Sequence, residues 1–198
     1  MAITGPSAAA TSGAVWINRA RFVSGARHIS RSRPGPARAT ARVIAAASTD
    51  EKLAVCKAHG ADELINYGTG DLRKQLKEIC PEGPSVIYDP VGGDTFHQVR
   101  RCMGWDSRLL VIGFVAGIPE VKTNHALLKS YSMVGVHWGA SLAKFPNSLG
   151  EQMTTLLDMA ASGTIDPPLY PPFAFADAAQ ALQDIADRKV HGKAVVTV

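Results

Sequence analysis

From Ala41 to Val198 short β-branched or apolar runs alternate with stretches whose apolar residues recur every three or four positions, and glycine or proline punctuates the changeovers. The runs predict strands at Arg42–Ala47, Glu63–Asn66, Ser85–Tyr88, Arg108–Phe114, Ser132–Trp138 and Lys193–Val198. Most are apolar throughout, as strands covered on both faces are. Strand and helix in alternation predict an α/β fold, a doubly wound parallel sheet with helices on both faces.

The helical stretches carry their own punctuation. Ser48-Thr-Asp-Glu51 has capping-box spacing, with the serine hydroxyl placed to accept from a free backbone N–H, and Gly60 stops the helix that follows. Asp71 caps the next, where Leu72, Leu76 and Ile79 share a face, and Phe96, Val99 and Met103 form a third stripe. A longer helix at 148–162 turns Leu149, Met153, Leu156, Leu157 and Ala160 inward, and a last one at 176–188 does so with Ala178, Leu182 and Ile185.

Charge changes the picture at the N-terminus. Of the 21 lysines and arginines, seven arginines lie in residues 1–42, which hold no acid; 14 basic residues remain against all 17 acids. The body is thus slightly acidic, which argues against a nucleic-acid-binding face, and aromatic interleaving among the arginines is limited to Trp16 and Phe22. Every apolar stretch is too short to span a membrane. Cys56, Cys80 and Cys102 are odd in number and far apart, which fits small core residues in a reducing compartment such as the cytoplasm better than disulfides or a zinc knuckle.

Residues 1–40 show no period, and Ala14–Val23 is their one regular-looking piece, a short strand or an arginine-bearing turn. Three readings stand for this leader: a mitochondrial or plastid presequence, an unstructured tail, or the product of a shifted frame or mispredicted exon, the last being favoured.

In a doubly wound sheet ligands bind beyond the carboxyl ends of the strands. After the first predicted strand come Ser48, Thr49 and Lys52, where an NAD enzyme would place a carboxylate; hydroxyls with an ammonium suit a 2′-phosphate, although taken alone, with Asp50 and Glu51 adding negative charge nearby, these residues read more readily as a helix cap and a solvated lysine. Tyr88-Asp-Pro-Val-Gly-Gly93, Ile112-Gly-Phe-Val-Ala-Gly117 and Val136-His-Trp-Gly-Ala140 open later strand ends with small residues. His97, His125 and His137 have no metal-site spacing, and no nucleophile or other catalytic residue stands out.

Ala41-Arg-Val-Ile-Ala-Ala-Ala-Ser48, Lys57-Ala-His-Gly-Ala-Asp62, Ile65-Asn-Tyr67, Tyr88-Asp-Pro-Val-Gly-Gly-Asp94, Val111-Ile-Gly-Phe114, Val134-Gly-Val-His-Trp-Gly139 and Gly192-Lys-Ala-Val-Val196 together resemble the cofactor domain of zinc-free medium-chain dehydrogenase/reductases of the NADPH:quinone oxidoreductase, or zeta-crystallin-like, group. The resemblance covers residues 41–198 and implies a Rossmann-type sheet, NADPH as cofactor, no zinc, and hydride transfer to a quinone or enone. It implies that Ser48, Lys52 and Tyr67 hold the 2′-phosphate, that Val91 and Gly92 face the ribose, and that Gly113, Phe114, Trp138 and Gly139 wall the nicotinamide. A homodimer joined through an edge strand at 132–138 is the expected assembly.

The resemblance begins mid-unit. A catalytic domain, the first cofactor strand and its glycine-rich loop would all precede Ala41, and Gly5, Gly13, Gly25 and Gly35 do not form that loop. The cofactor sheet is therefore expected to be incomplete, its missing central strand replaced by recruiting Ala14–Val23. Micromolar dinucleotide affinity needs about −8 kcal/mol, and an exposed lysine–phosphate pair contributes at most about 1. An inactive fragment that serves as a binding or dimerisation module is the alternative to an enzyme.

Overall fold

The computed structural model describes residues 42–187 and 189–198, together with the backbone of Val15–Arg19. The strands of the main sheet are β1 (Val15–Arg19), β2 (Arg42–Ala47), β3 (Glu63–Asn66), β4 (Val86–Asp89), β5 (Arg108–Val111) and β6 (Ser132–Gly135). Helices α1 (Asp50–Ala58), α2 (Leu72–Ile79), α3 (Gly93–Val99) and α4 (Asn124–Lys129) make the crossovers. Beyond the sheet lie α5 (Trp138–Lys144), α6 (Asn147–Ala161), α7 (Ala178–Ala186) and a small parallel pair, β7 (Phe173–Ala174) with β8 (Val196–Thr197). No helix among the described residues is long and apolar enough to cross a membrane.

The sheet order is β3-β2-β1-β4-β5-β6. Strands β2 to β6 run parallel, and β1 runs antiparallel between β2 and β4, with Ile17 opposite both Ile44 and Ile87. The segment expected to close the gap does so as a strand, and its direction is opposite to the rest. Ala14 and residues 20–23, like the remainder of the leader, lie outside the described residues.

Right-handed crossovers put α2, α3 and α4 on one face of the sheet and α1 on the other. The period of two along β2 divides the core accordingly. Ile44 and Ala46 join Ile65, Ile87, Leu109, Leu72, Leu76, Phe96, Val99 and Met103 on the α2–α3 face, while Ala45 packs with Cys56 and Ala61 under α1. Each fully buried leucine or isoleucine contributes about 1.5–3 kcal/mol. The pairing of β2 with β3 is pinned at its start by the Arg42–Glu63 ion pair and by Val43 N–H donating to Asp62 Oδ2 at 2.7 Å. Cys56, Cys80 and Cys102 are buried free thiols, as small core residues should be.

Several expected boundaries shift. Strand β5 stops at Val111, although Ile112 N–H still reaches Asp89 O at 2.9 Å, and the chain then turns at 114–117, where Gly117 N–H bonds Phe114 O at 2.9 Å. The 132–138 strand ends at Gly135, since Trp138-Gly-Ala-Ser-Leu-Ala-Lys144 winds into α5 with Ser141 N–H bonded to His137 O at 3.1 Å. The C-terminal run contributes only Val196–Thr197, and to the separate β7–β8 pair rather than the main sheet.

Two apolar stripes face outward instead of inward. On α6, Leu149, Met153, Leu156, Leu157 and Ala160 are exposed, Leu157 by 62%. On α7, Leu182 and Ile185 are exposed and Ala181 is the buried residue. The helical period is present in both, but none of the described residues covers these faces.

Candidate functional site

Because β2 to β6 are parallel, their carboxyl ends share one edge of the sheet, and the turns that leave them bring the expected residues there. At the β2 end the helix cap is one residue later than the sequence spacing suggests. Thr49, with extended backbone, accepts from Lys52 N–H at 3.4 Å, and α1 starts at Asp50. The Glu51 backbone N–H, and after it the Thr49 hydroxyl, hold the Glu51 carboxyl below its usual range. Ser48 is left half-buried at the strand tip rather than serving as cap. Lys52 is 7% exposed, so it is not a solvated surface lysine.

Strand β3 delivers Tyr67 beside this tip, with its N–H on Ala47 O at 3.0 Å and its ring against the core. The following turn needs glycine: a Cβ on Gly68 would overlap the Ser48 carbonyl. Asn66 organises the junction. Its Nδ2 donates to Asp50 Oδ1 at 2.7 Å and its Oδ1 accepts from Gly68 N–H at 2.9 Å. Ser48 follows the end of β2, Lys52 lies in the first turn of α1, and Tyr67 follows the end of the neighbouring β3.

The β4 and β5 ends interlock. Asp89, 1% exposed, accepts through Oδ1 from Val91 N–H at 2.8 Å and Gly92 N–H at 3.1 Å, an Asx turn that folds the chain into α3. Burial raises the Asp89 pKa, and the two N–H donors oppose that rise. Gly92 has φ +71°, and a Cβ there would stand 2.6 Å from Gly117 O and 3.0 Å from Phe114 Cα. Gly93 N–H bonds Gly117 O at 2.9 Å, and Ala116 N–H bonds Val91 O at 2.8 Å. Val91, Gly92, Gly113 and Phe114 therefore form one unit, with the Phe114 ring half exposed.

Trp138 and Gly139 lie in the first turn of α5, past the end of β6. Trp138 is half exposed and donates its indole N–H to Gln152 Oε1 at 2.7 Å, while a Cβ on Gly139 would meet no atom within 4 Å. These two residues thus occupy a helix start rather than the strand end expected of them.

Sequence reasoning gave no role to Asp89 or Asn66. The Asp-Pro-Val-Gly-Gly pattern carries an Asx-turn signal that would have found the first; the second makes its bond to α1 only through tertiary packing. Among the described residues no three His, Cys, Asp or Glu side chains gather where a metal could be held.

The gap in the arrangement is central. Since β1 runs antiparallel, the chain leaving it at Arg19 emerges at the edge opposite the strand tips, beside Arg42. No strand–turn–helix unit from the central position reaches the site among the described residues, whereas a dinucleotide pyrophosphate is ordinarily held by such a unit.

Comparison with known proteins fits this geometry. A quinone oxidoreductase-like protein 2 homolog of Nematostella vectensis is 34% identical over 159 residues, covering 79% of this chain and 43% of that protein. Quinone oxidoreductase-like protein 2 of Rattus norvegicus is 33% identical over 160 residues, covering 80% and 46%. The chain spans less than half the length of these relatives. Escherichia coli quinone oxidoreductase complexed with NADPH shares the fold, with a TM-score of 0.70 at 24% identity over 78% of this chain and 49% of that one. The zinc-binding dehydrogenase signature matches residues 37–159, so the chain belongs to that family, as a cofactor domain of the medium-chain, quinone oxidoreductase type.

Proposed function

We propose that residues 41–198 form the cofactor-binding part of an NADPH-dependent oxidoreductase that reduces a quinone or an enone. The observation that carries this reading is the β2 tip. Ser48 offers a hydroxyl at the strand tip with Lys52 in the first turn of α1, and both acids of that turn are engaged, Asp50 with Asn66 and Glu51 with its own N–H and the Thr49 hydroxyl. Such a tip favours a 2′-phosphate over a bare ribose. The likeness to quinone oxidoreductase-like proteins supports the acceptor class.

NADPH supplies the hydride when bound. Ser48, Lys52 and Tyr67 would hold its 2′-phosphate, the Asp89-braced turn at Val91 and Gly92 would meet the ribose, and Gly113, Phe114, Trp138 and Gly139 would line the nicotinamide side. No proton donor among these residues is implied, so catalysis rests on orientation and exclusion of water. A second copy would pair along the outer edge of β6, and the three buried thiols suit a reducing compartment such as the cytoplasm.

The antiparallel β1 favours a second reading, a family member that has lost cofactor affinity and acts through its surface alone. Titration of the purified chain with NADPH and with NADH, followed by nicotinamide fluorescence, separates the two. Saturable NADPH binding, at least about tenfold tighter than NADH, supports the first reading. No change at millimolar NADPH sinks it for this chain and leaves the second.

A further inference from the structure

A second polar site lies away from the strand tips, on the face that carries α2, α3 and α4. Arg73 of α2, Arg101 just past α3, and His125, Leu128 and Lys129 of α4 line an open pocket of about 380 Å³. That volume falls within the range of small-molecule sites. Arg101 belongs to the segment entering β5 and Lys129 to the segment entering β6, so these two residues stand near the edge opposite the proposed cofactor turns.

The lining has four basic groups and no acid. Arg73 and Arg101 form none of the ion pairs found among the described residues, and Lys129 spends one N–H on Met103 O at 2.7 Å. Nearby Asp71 has Oδ1 committed to Lys74 N–H, at 3.0 Å, as the α2 cap.

Burial first, then Arg100, Arg101, Lys129 and Lys122, hold the His125 pKa below its ordinary value. A patch of converging cations without acids repels itself, and a multiply charged anion would relieve that repulsion.

We propose that this pocket binds the phosphate group of a small molecule, with Arg73, Arg101, His125 and Lys129 as its donors. Phosphate offers several acceptor oxygens to donors that approach from three elements, which a halide or a single carboxylate does not. The site is independent of the NADPH reading, because none of its residues belongs to the strand-tip turns.

The test uses the full chain and three probes, inorganic phosphate, pyrophosphate and glucose 6-phosphate, at ionic strength held constant with chloride. The ring protons of His125, identified by loss of their signals in His125→Asn, are followed by NMR. A saturable shift below about 10 mM of at least one probe, with a rise in the His125 pKa on saturation, is expected. Free phosphate as the tightest probe would point to an inorganic ion, and the sugar phosphate as the tightest to a phosphomonoester metabolite. Arg101→Gln and Arg73→Gln, both at exposed positions, should each weaken binding about tenfold. Shifts that stay linear for all three probes, or that are the same in the arginine variants as in the parent, would overturn the proposal.

Discussion

Asn66 at the end of β3 donates its side-chain amide to the Asp50 carboxylate in the first turn of α1, at 2.7 Å. The bond ties two strand tips together and fixes Asp50, one of the two acids in the first turn of α1 beside the proposed 2′-phosphate grip. Asp50→Asn removes that charge and keeps an oxygen for Asn66. Loss of one partly screened repulsion of about 1 kcal/mol should tighten NADPH about three- to fivefold and leave NADH unchanged. Paired fluorescence titrations check this, and equal effects on the two cofactors would remove the 2′-phosphate from the β2 tip.

The glycines of the site divide by what a methyl group would meet. Gly92 combines a left-handed φ with carbonyl and Cα atoms at 2.6 and 3.0 Å, so Gly92→Ala should cost about 2–4 kcal/mol in urea unfolding. Gly139 sits in α5 with open space around it, and Gly139→Ala should gain up to about 1 kcal/mol of stability from helix propensity. If Gly139 faces the nicotinamide, the same stabilised variant binds NADPH more weakly. Unchanged affinity would place the cofactor elsewhere.

What the sequence made legible follows from the range of each interaction. The β2 and β3 strands, the Asp71 cap and the Leu72–Leu76 stripe are fixed by neighbours in the chain, and they stand as expected. The α6 and α7 stripes show why period alone falls short. Leu156, Leu157, Leu182 and Ile185 recur at helical spacing, which marks a face suited to cover but says nothing of what covers it. The direction of β1 is beyond any local pattern, since Val15–Arg19 suits a strand in either sense and the choice rests on partners 23 and more residues away. At the site, the glycine turns and hydroxyls were visible; the Asp50–Asn66 bond was not.

The Asp89 carboxyl gives the turn a pH signature. Its folded-state pKa is raised by burial, so between the ordinary carboxylate range and that raised value the folded chain binds more protons than the unfolded one. This contribution to stability is fully present below the unfolded pKa and is lost as pH rises through the folded pKa. Asp89→Asn retains an acceptor for Val91 and Gly92 N–H and removes the titration. Urea midpoints measured across the acid range should therefore fall with rising pH more in the parent than in Asp89→Asn. Identical profiles would mean that the carboxyl is not desolvated.

The β6 edge permits a direct test of assembly. Ser132 N–H donates to Ser107 O at 2.9 Å and Val136 N–H to Val111 O at 3.0 Å, so strand alternation turns the Met133 and Gly135 N–H groups away from β5. A second copy pairing along this edge would use those groups. Gly135 is exposed with no atom near its missing Cβ, and Gly135→Pro deletes one outward donor while leaving the inward ladder intact. Sedimentation of the parent should show a dimer, and of Gly135→Pro a monomer with an unchanged urea midpoint when both are compared at concentrations low enough to dissociate the parent. A parent that sediments as a monomer, or a proline variant that still dimerises, moves the interface away from β6, and the exposed leucines of α6 become the next surface to substitute.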